Sequence, residues 1–138
     1  MKAMKAGARA SAELVASEAD MASALALSVE DEFPEVFATS RMVALMELAA
    51  ARCMKPLLAP GQLSVGVNVN VTHLAATPKG VRVRAEATFT GMQGKLYGFE
   101  LQAWDAGGLI GQGSHTRAII ASERLLTGAR TRNESSAS

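Results

Sequence analysis

A helix that is apolar on nearly every side constrains the fold of this chain more than any other feature of its sequence. Residues 42–57 contain no helix breaker before Pro56, and the segment MVALMELAA within them is apolar except for Glu47. A helix with this pattern is buried on most of its sides. Thr39 and Ser40 are the candidate N-cap residues, because a hydroxyl group there can accept a hydrogen bond from the first turn.

The residues after this helix alternate between apolar and polar side chains. From Ser64 to His73, a valine stands at every odd position up to 71, and a polar residue or glycine stands between each pair. A period of two predicts a strand. The same signal predicts strands at 81–89, 96–104 and 109–120, with turns at 77–80, 91–94 and 105–108. We expect four consecutive antiparallel strands joined by short turns.

The residues before the helix are harder to assign. Residues 7–18 favour a strand and residues 21–27 a short helix, whereas residues 31–37 form a loop because Pro34 disfavours helical backbone before it. The helix can be covered only if the sheet curves around it. We therefore predict an α+β hotdog fold, in which a curved antiparallel sheet wraps one central helix. Residues 1–138 form one domain, with a short helix at 122–126 and a disordered tail at about 129–138.

Composition excludes several classes of function. The net charge is +1 and no basic stripe is present, so a nucleic-acid partner is not expected. No apolar run approaches a membrane span or a signal peptide. The single cysteine, Cys53, excludes an internal disulfide and fits the reducing cytoplasm. No cluster of His, Cys or acidic residues has metal-ligand spacing, so we expect no metal.

Glu47 and His73 are the two polar residues on predicted apolar surfaces. An unpaired carboxylate on a buried helix costs several kcal/mol, so Glu47 must be paired, protonated or open to a cleft. His73 shares a face with Val65, Val67, Val69 and Val71, which the architecture turns toward the helix. One interpretation is a polar stripe and a hydrogen-bonded core histidine. The other is an acid–imidazole pair that deprotonates a water or hydroxyl.

Thr39 has two interpretations as well. It is either a helix cap or a nucleophile or hydrogen-bond donor beside the backbone N–H groups of the helix N-terminus, which can hold an oxyanion. Eight helical residues rise about 12 Å, so Thr39 and Glu47 cannot touch on one straight helix. Either Thr39 folds back on a loop, or the pair is completed across a dimer interface. His115, in GSHTRAII, is interpreted as a structural strand histidine.

Three separated stretches resemble the fluoroacetyl-CoA thioesterase family. They are FPEVFATSRMVALME at 33–47, VTHLAATPKG at 71–80 and GQGSHTRAII at 111–120. The resemblance implies a hotdog dimer that hydrolyses short acyl-CoA thioesters with a catalytic threonine, glutamate and histidine, which fall on Thr39, Glu47 and His73. It also implies acyl and CoA contacts at Gly66 and Arg117. Gly66 lacks a side chain among valines, as close approach of a ligand requires, whereas Arg117 has the alternative of a solvent-facing strand arginine.

The resemblance also implies an aromatic lid over the acyl group. Phe33 matches one of its two phenylalanines, whereas Glu30 stands at the other position. A charged lid residue stays hydrated, so we expect poor selectivity for fluoroacetyl-CoA.

The predicted function is hydrolysis of a short acyl-CoA by a homodimer or a higher oligomer. No cofactor is needed, because CoA is part of the substrate. The alternatives are a hotdog hydratase or dehydratase, which would use a separate Asp/His pair, and a non-catalytic acyl-CoA-binding protein.

Overall fold

Five strands and two α-helices make up residues 3–134, the part of the chain that the computed structural model describes. The strands are β1 (Arg9–Val15), β2 (Gln62–His73), β3 (Arg82–Gln93), β4 (Leu96–Asp105) and β5 (Gly108–Ala121). Helix α1 spans Thr39–Met54 and helix α2 spans Ser122–Glu134. Short 3-10 helices lie at Glu18–Asp20, Ala22–Leu25 and Lys55–Leu57.

The strands form one antiparallel sheet in the order β1-β3-β4-β5-β2. Helix α1 contacts β1, β2, β3 and β4, so the sheet curls around it. The predicted hotdog fold is confirmed. One detail of the prediction is wrong: β2 and β3 do not pair through a short turn. Strand β2 pairs with β5 at one edge of the sheet, and the chain then crosses to β3 beside β1.

Small residues on the sheet let α1 pack close to it. The helix buries mostly methionine, leucine and alanine, namely Met42, Leu45, Met46, Ala49, Ala50 and Met54. The strands oppose it with buried Ala85, Ala87 and Ala103. A Cβ on Gly111 would lie 2.5 Å from Sδ of Met42, so only glycine leaves room for that side chain. Methionine side chains fill the irregular space that remains.

The single chain covers α1 on most of its sides, as the sequence predicted. Ala44 is exposed, and Leu48 keeps 43% of its surface accessible. Both residues lie on the side of the helix that faces away from the core. This apolar side of the helix is open within one copy of the chain.

A bulge in β2 overturns the predicted single valine face. Gly66 pairs with Arg117 and Asn68 with Thr116, which leaves Val67 as the extra residue. Directly paired residues of an antiparallel sheet share a face. Val69 pairs with His115, which lies on the face of Arg117, so Gly66 and Val69 both point toward the helix side. The inserted residue moves Val65 to the opposite face from Val69 and His73.

The segment before α1 and the C-terminal segment both differ in part from the prediction. The predicted strand at 7–18 is confirmed as β1, whereas residues 21–27 contain a four-residue 3-10 helix instead of the longer helix expected. The predicted disordered tail is wrong for 129–134, because α2 continues to Glu134. Residues 135–138 lie outside the described part of the chain.

Candidate active site

Thr39 and His73 form a hydroxyl–imidazole pair at the start of α1. Oγ1 of Thr39 lies 2.8 Å from Nδ1 of His73. Thr39 is the first helical residue and the N-cap is Ala38, which has no side chain able to cap. The prediction of a Thr39 or Ser40 cap is therefore wrong, because the hydroxyl of Thr39 is turned toward the imidazole instead.

The second ring nitrogen of His73 has no protein partner. Nε2 is buried and makes no hydrogen bond to any described residue. A buried polar atom without a partner costs about 1–3 kcal/mol, so such an atom at a cleft points to a group that binds there.

A pocket of about 460 Å³ opens beside this pair. Apart from Thr39 and His73, the residues that line it have apolar side chains and come from the loop before α1 and the segment after β2: Ala22, Phe33, Pro34, Val36, Phe37, Leu74, Ala75 and Ala76. Phe37 is fully buried, whereas Phe33 is 48% exposed at the mouth. Glu30 is exposed and does not line the pocket. Phe33 therefore lies where the predicted contact with the acyl group requires it, whereas the charge of Glu30 lies outside the pocket.

Glu47 lies against β2 further along the helix, in a second cluster. Its Oε1 is 3.5 Å from Nη1 of Arg117, whose side chain is only 7% exposed, whereas that of Glu47 is 37% exposed. Arg117 also donates from Nε to Oγ of Ser64 and from Nη2 to the carbonyl of Ser64, both at 3.0 Å. The alternative of a solvent-facing arginine is therefore wrong. Burial lowers the pKa of Arg117, and the Glu47 carboxylate acts in the opposite direction.

His115 belongs to the same cluster, although it was interpreted from the sequence as a structural strand histidine. It is 2% exposed, with Nδ1 at 2.8 Å from the carbonyl of Asn68 and Nε2 at 3.1 Å from Nη1 of Arg117. Burial is the largest influence on its pKa and lowers it, and the Arg117 charge adds to this; the Asn68 carbonyl and Glu47 act the other way. The signal available in the sequence was the spacing of two between His115 and Arg117, which puts both on one face of a strand.

Gly66 is where the Glu47 carboxylate and the His115 ring meet the strand. A Cβ there would overlap the Glu47 carboxylate and come within 3.1 Å of Cε1 of His115. The close approach predicted at Gly66 is therefore made by side chains of this chain, because no side chain longer than hydrogen leaves room for the carboxylate.

The predicted pair of Glu47 with His73 does not form within one chain. Helix α1 runs along β2 in the opposite direction, so Thr39 meets His73 at one end while Glu47 meets Gly66 nearer the other. The eight helical steps from Thr39 to Glu47 separate the two clusters by about 12 Å. One copy of the chain thus carries two separate polar clusters along the same edge strand.

Residues 3–134 contain no group of three or more His, Cys, Asp or Glu side chains placed to hold a metal ion. Within the same residues, neither helix is both long and apolar enough to cross a membrane.

Comparisons with known proteins find similar sequences and similar structures. A family model described as fluoroacetyl-CoA-specific thioesterase matches residues 17–123. The fluoroacetyl-CoA thioesterase of Streptantibioticus cattleyicolor is 46% identical over 94 residues, which is 68% of each chain. A crystal structure of a fluoroacetyl-CoA thioesterase superimposes with a TM-score of 0.89 at 39% identity and covers 94% of this chain and 98% of its own. A thioesterase superfamily member from Thermus thermophilus superimposes with a TM-score of 0.85 at 27% identity, over 97% and 96% of the two chains.

Proposed function

The chain belongs to the fluoroacetyl-CoA-specific thioesterase family, and we propose that it hydrolyses short acyl-CoA thioesters at two sites that two copies of it build together. The thioesterase activity follows from the family. The composite site is supported by the separation of Glu47 from the Thr39–His73 pair within one copy.

The open edge of β2 carries the proposal of a dimer. The twelve residues of β2 include no lysine, arginine, aspartate, glutamate or proline. An unpaired edge strand of this length is normally protected by charges, as β1 is by Arg9 and Glu13. Exposed apolar side chains lie along β2 and the adjacent side of α1: Leu48, Leu63, Val67 and Val69. A second copy that pairs β2 with β2 covers this surface and completes the cover of α1.

A twofold axis through Asn70 fits the faces of the strand. Val69 of one copy then lies opposite Val71 of the other, and both point toward the helix side. His73 lies opposite the bulge at Gly66 and Val67, where the Glu47 carboxylate sits. Opposing side chains in such a pair are about 5 Å apart. The unpartnered Nε2 of His73 is thereby brought next to Glu47 of the second copy.

The chemistry follows from this juxtaposition. The thioester carbonyl lies at the start of α1, where the N–H groups of Thr39 and Ser40 have no backbone partner among the described residues and can hold the oxyanion. Glu47 and His73 take the proton from a water or from the Thr39 hydroxyl, which then attacks the carbonyl carbon. When Thr39 attacks, a water activated by the same pair then hydrolyses the acyl-threonine ester and releases the acid. The C–S bond breaks and CoA leaves as a thiolate. A thiol pKa of about 8.5 makes this leaving group good without strong acid assistance.

The acyl group occupies the pocket beside His73, whose volume of about 460 Å³ has room for a short acyl chain. A hydratase or dehydratase is not favoured, because the family is one of thioester hydrolases. The free thiol of Cys53, whose pKa is raised by burial, supports the assignment to a reducing cytoplasm.

Single substitutions test the chemistry. We expect Glu47→Gln and His73→Ala each to lower kcat for acetyl-CoA hydrolysis by at least about a hundredfold, as loss of a positioned acid–base group does. The measurement is release of free thiol by purified protein. Wild-type protein without turnover would leave a binding protein as the function, and full activity in either variant would remove that residue from the mechanism.

Mixing the two inactive variants tests the composite site. In a mixed dimer of Glu47→Gln with His73→Ala, one site carries both lesions and the other carries neither. Random exchange makes half of the dimers mixed, so about a quarter of the wild-type activity returns. Each variant exchanged with itself is the control, and light scattering confirms the dimer. No recovery in mixed dimers would show that each site lies within one copy.

A further inference from the structure

We infer that His115, held in its neutral form with the proton on Nδ1, is a positioning residue that aims Arg117 at the catalytic carboxylate of Glu47. The inference rests on the proposed function, since it gives a purpose to a buried side chain that the proposed chemistry does not touch. Three observations support it. They are the hydrogen-bond pattern around the imidazole, the complete partnering of the guanidinium, and the close approach of the His115 ring and the Glu47 carboxylate to Gly66.

The partners of His115 define its protonation state. A guanidinium nitrogen can only donate, so Nε2 of His115, 3.1 Å from Nη1 of Arg117, accepts and carries no proton. The carbonyl of Asn68 can only accept, so Nδ1 at 2.8 Å from it is protonated. An imidazole that accepts at one nitrogen and donates at the other is neutral. The lowered pKa of His115 agrees with this, because burial and the Arg117 charge both oppose protonation.

Every nitrogen of Arg117 has a partner inside the chain. Nε and Nη2 bind the hydroxyl and carbonyl of Ser64, while Nη1 lies between Nε2 of His115 and Oε1 of Glu47. Without His115, Nη1 would lose the acceptor that fixes its angle, and the guanidinium could rotate about its remaining bonds to Ser64. The Glu47 oxygen nearest Arg117 would then lose its fixed position.

The result is a carboxylate with two different oxygens. Oε1 is held between Arg117 and the backbone of Gly66, and the side chain as a whole remains 37% exposed. Oε2 makes no hydrogen bond or ion pair with residues 3–134 and is available to a water or the reacting group. The bulge at Val67 contributes as well, because the anchor of His115 is the carbonyl of Asn68, the residue that follows it. We therefore assign the positioning of Glu47 to a chain of contacts that begins at the bulge.

Substitutions at His115 test this role. His115→Leu removes both hydrogen bonds at similar volume, and we expect kcat to fall about tenfold to a hundredfold while KM changes little, since a displaced general base affects the chemical step. His115→Gln can accept from Arg117 through its carbonyl and donate to Asn68 through its amide, so it recovers most of kcat. Phe99→Leu is the matched control: its ring packs against His115 at 6.3 Å but makes no hydrogen bond in the network, so it loses core packing and keeps kcat.

A double substitution separates positioning from a general loss of structure. If His115 acts through Arg117, His115→Leu adds nothing to the loss already caused by Arg117→Ala. Losses that multiply, a glutamine variant no better than leucine, or a leucine variant with unchanged kcat would each overturn the inference.

The protonation state is testable without any substrate. Histidine ¹⁵N NMR of the wild-type protein should show His115 neutral at pH 7 with the proton on Nδ1. A cationic ring or an Nε2-protonated ring would overturn the inference even if thioester turnover is confirmed. Conversely, absence of turnover in the wild type would refute the proposed function and leave this measurement interpretable.

Discussion

The two polar clusters along β2 are built in opposite ways. Around Glu47, a buried arginine and a buried histidine hold each other with hydrogen bonds to Ser64 and Asn68. Around His73, one hydrogen bond to the exposed Thr39 is the whole arrangement, and Nε2 has no partner among residues 3–134. Every side-chain nitrogen of Arg117 and His115 in the first cluster has a partner as folded, whereas Nε2 of His73 in the second cluster can still bind another group.

This difference separates two functions of a small hydrolase: fixed electrostatic groups in one cluster and groups that meet the substrate in the other. Fixed charges are most effective when their dipoles are oriented before the substrate arrives, which requires burial and full hydrogen bonding. A hydroxyl and an imidazole beside an open apolar pocket must instead meet an acyl group and release it. Three measurements distinguish the rigid cluster from the open one.

The largest difference should appear in stability. Arg117→Ala leaves the Ser64 carbonyl and Nε2 of His115 without partners in a buried place, and we expect a loss of about 2–4 kcal/mol in the free energy of unfolding. Thr39→Val removes one exposed hydrogen bond and no helix cap, so it should cost less than about 1 kcal/mol. Urea unfolding of the two variants measures both values. Equal losses would contradict the view that only one cluster is part of the folded framework.

A smaller difference should appear as the pH falls. The pKa of His115 is lowered from its ordinary 6.5, so the unfolded chain binds this proton more readily than the folded one. The corresponding stability is complete above pH 6.5 and is lost as the pH falls toward the lower folded value, with a slope of at most about 1.4 kcal/mol per pH unit. His115→Gln should give a flatter curve between pH 6.5 and 5, before Asp20 begins to matter. Asp20 contributes only at lower pH: burial favours its protonation, but hydrogen bonds from Ser17 and Arg41 outweigh burial and lower its pKa. A variant curve as steep as the wild-type one would assign the effect to other groups.

The smallest effect concerns the open cluster and the choice of acyl group. The expected poor selectivity for fluoroacetyl-CoA was argued from the charge of Glu30, but Glu30 lies outside the pocket, and buried Phe37 lines its wall. We now expect Glu30→Phe to change the ratio of kcat/KM for fluoroacetyl-CoA and acetyl-CoA by less than about threefold. Wild-type selectivity should stay below about a hundredfold, because apolar contacts separate near-isosteres by only 1–3 kcal/mol. Phe33→Ala is the variant to compare with Glu30→Phe, because Phe33 lines the half-exposed mouth of the pocket and Glu30 does not. A ratio of several orders of magnitude would show that the pocket excludes water in spite of its open mouth.

The sequence predicted the secondary-structure elements and the fold class better than the order in which the strands pair. Alternation of apolar residues located four strands and the apolar helix within a few positions, because those patterns depend only on which face is buried. Strand order was not accessible in this way. The crossing from β2 to β3 resembles a hairpin connection in length, and only packing around α1 decides that β2 pairs with β5.

The candidate site shows the same limit. Thr39, Glu47 and His73 stood out as polar residues on or beside apolar elements, and the structure places each of them at the edge strand. Their partners did not follow from the pattern. Strict alternation predicted one face for residues 65–73, and the bulge at Val67 broke it. The inferred pairing of Glu47 with His73 was wrong within one chain for another reason, because Glu47 meets β2 at Gly66, about 12 Å along α1 from the contact of Thr39 with His73. His115 was missed because a buried histidine in a strand looks the same whether or not it positions a neighbour.

The bulge at Val67 is, at the level of the gene, a single codon. Its loss would leave Gly66 and His73 six positions apart, so both would still point toward α1 in a regular strand. With all twelve residues present and no bulge, the same two residues would lie on opposite faces. A change that straightened the strand without shortening the gene would thus separate the carboxylate from the imidazole more completely than replacing either one.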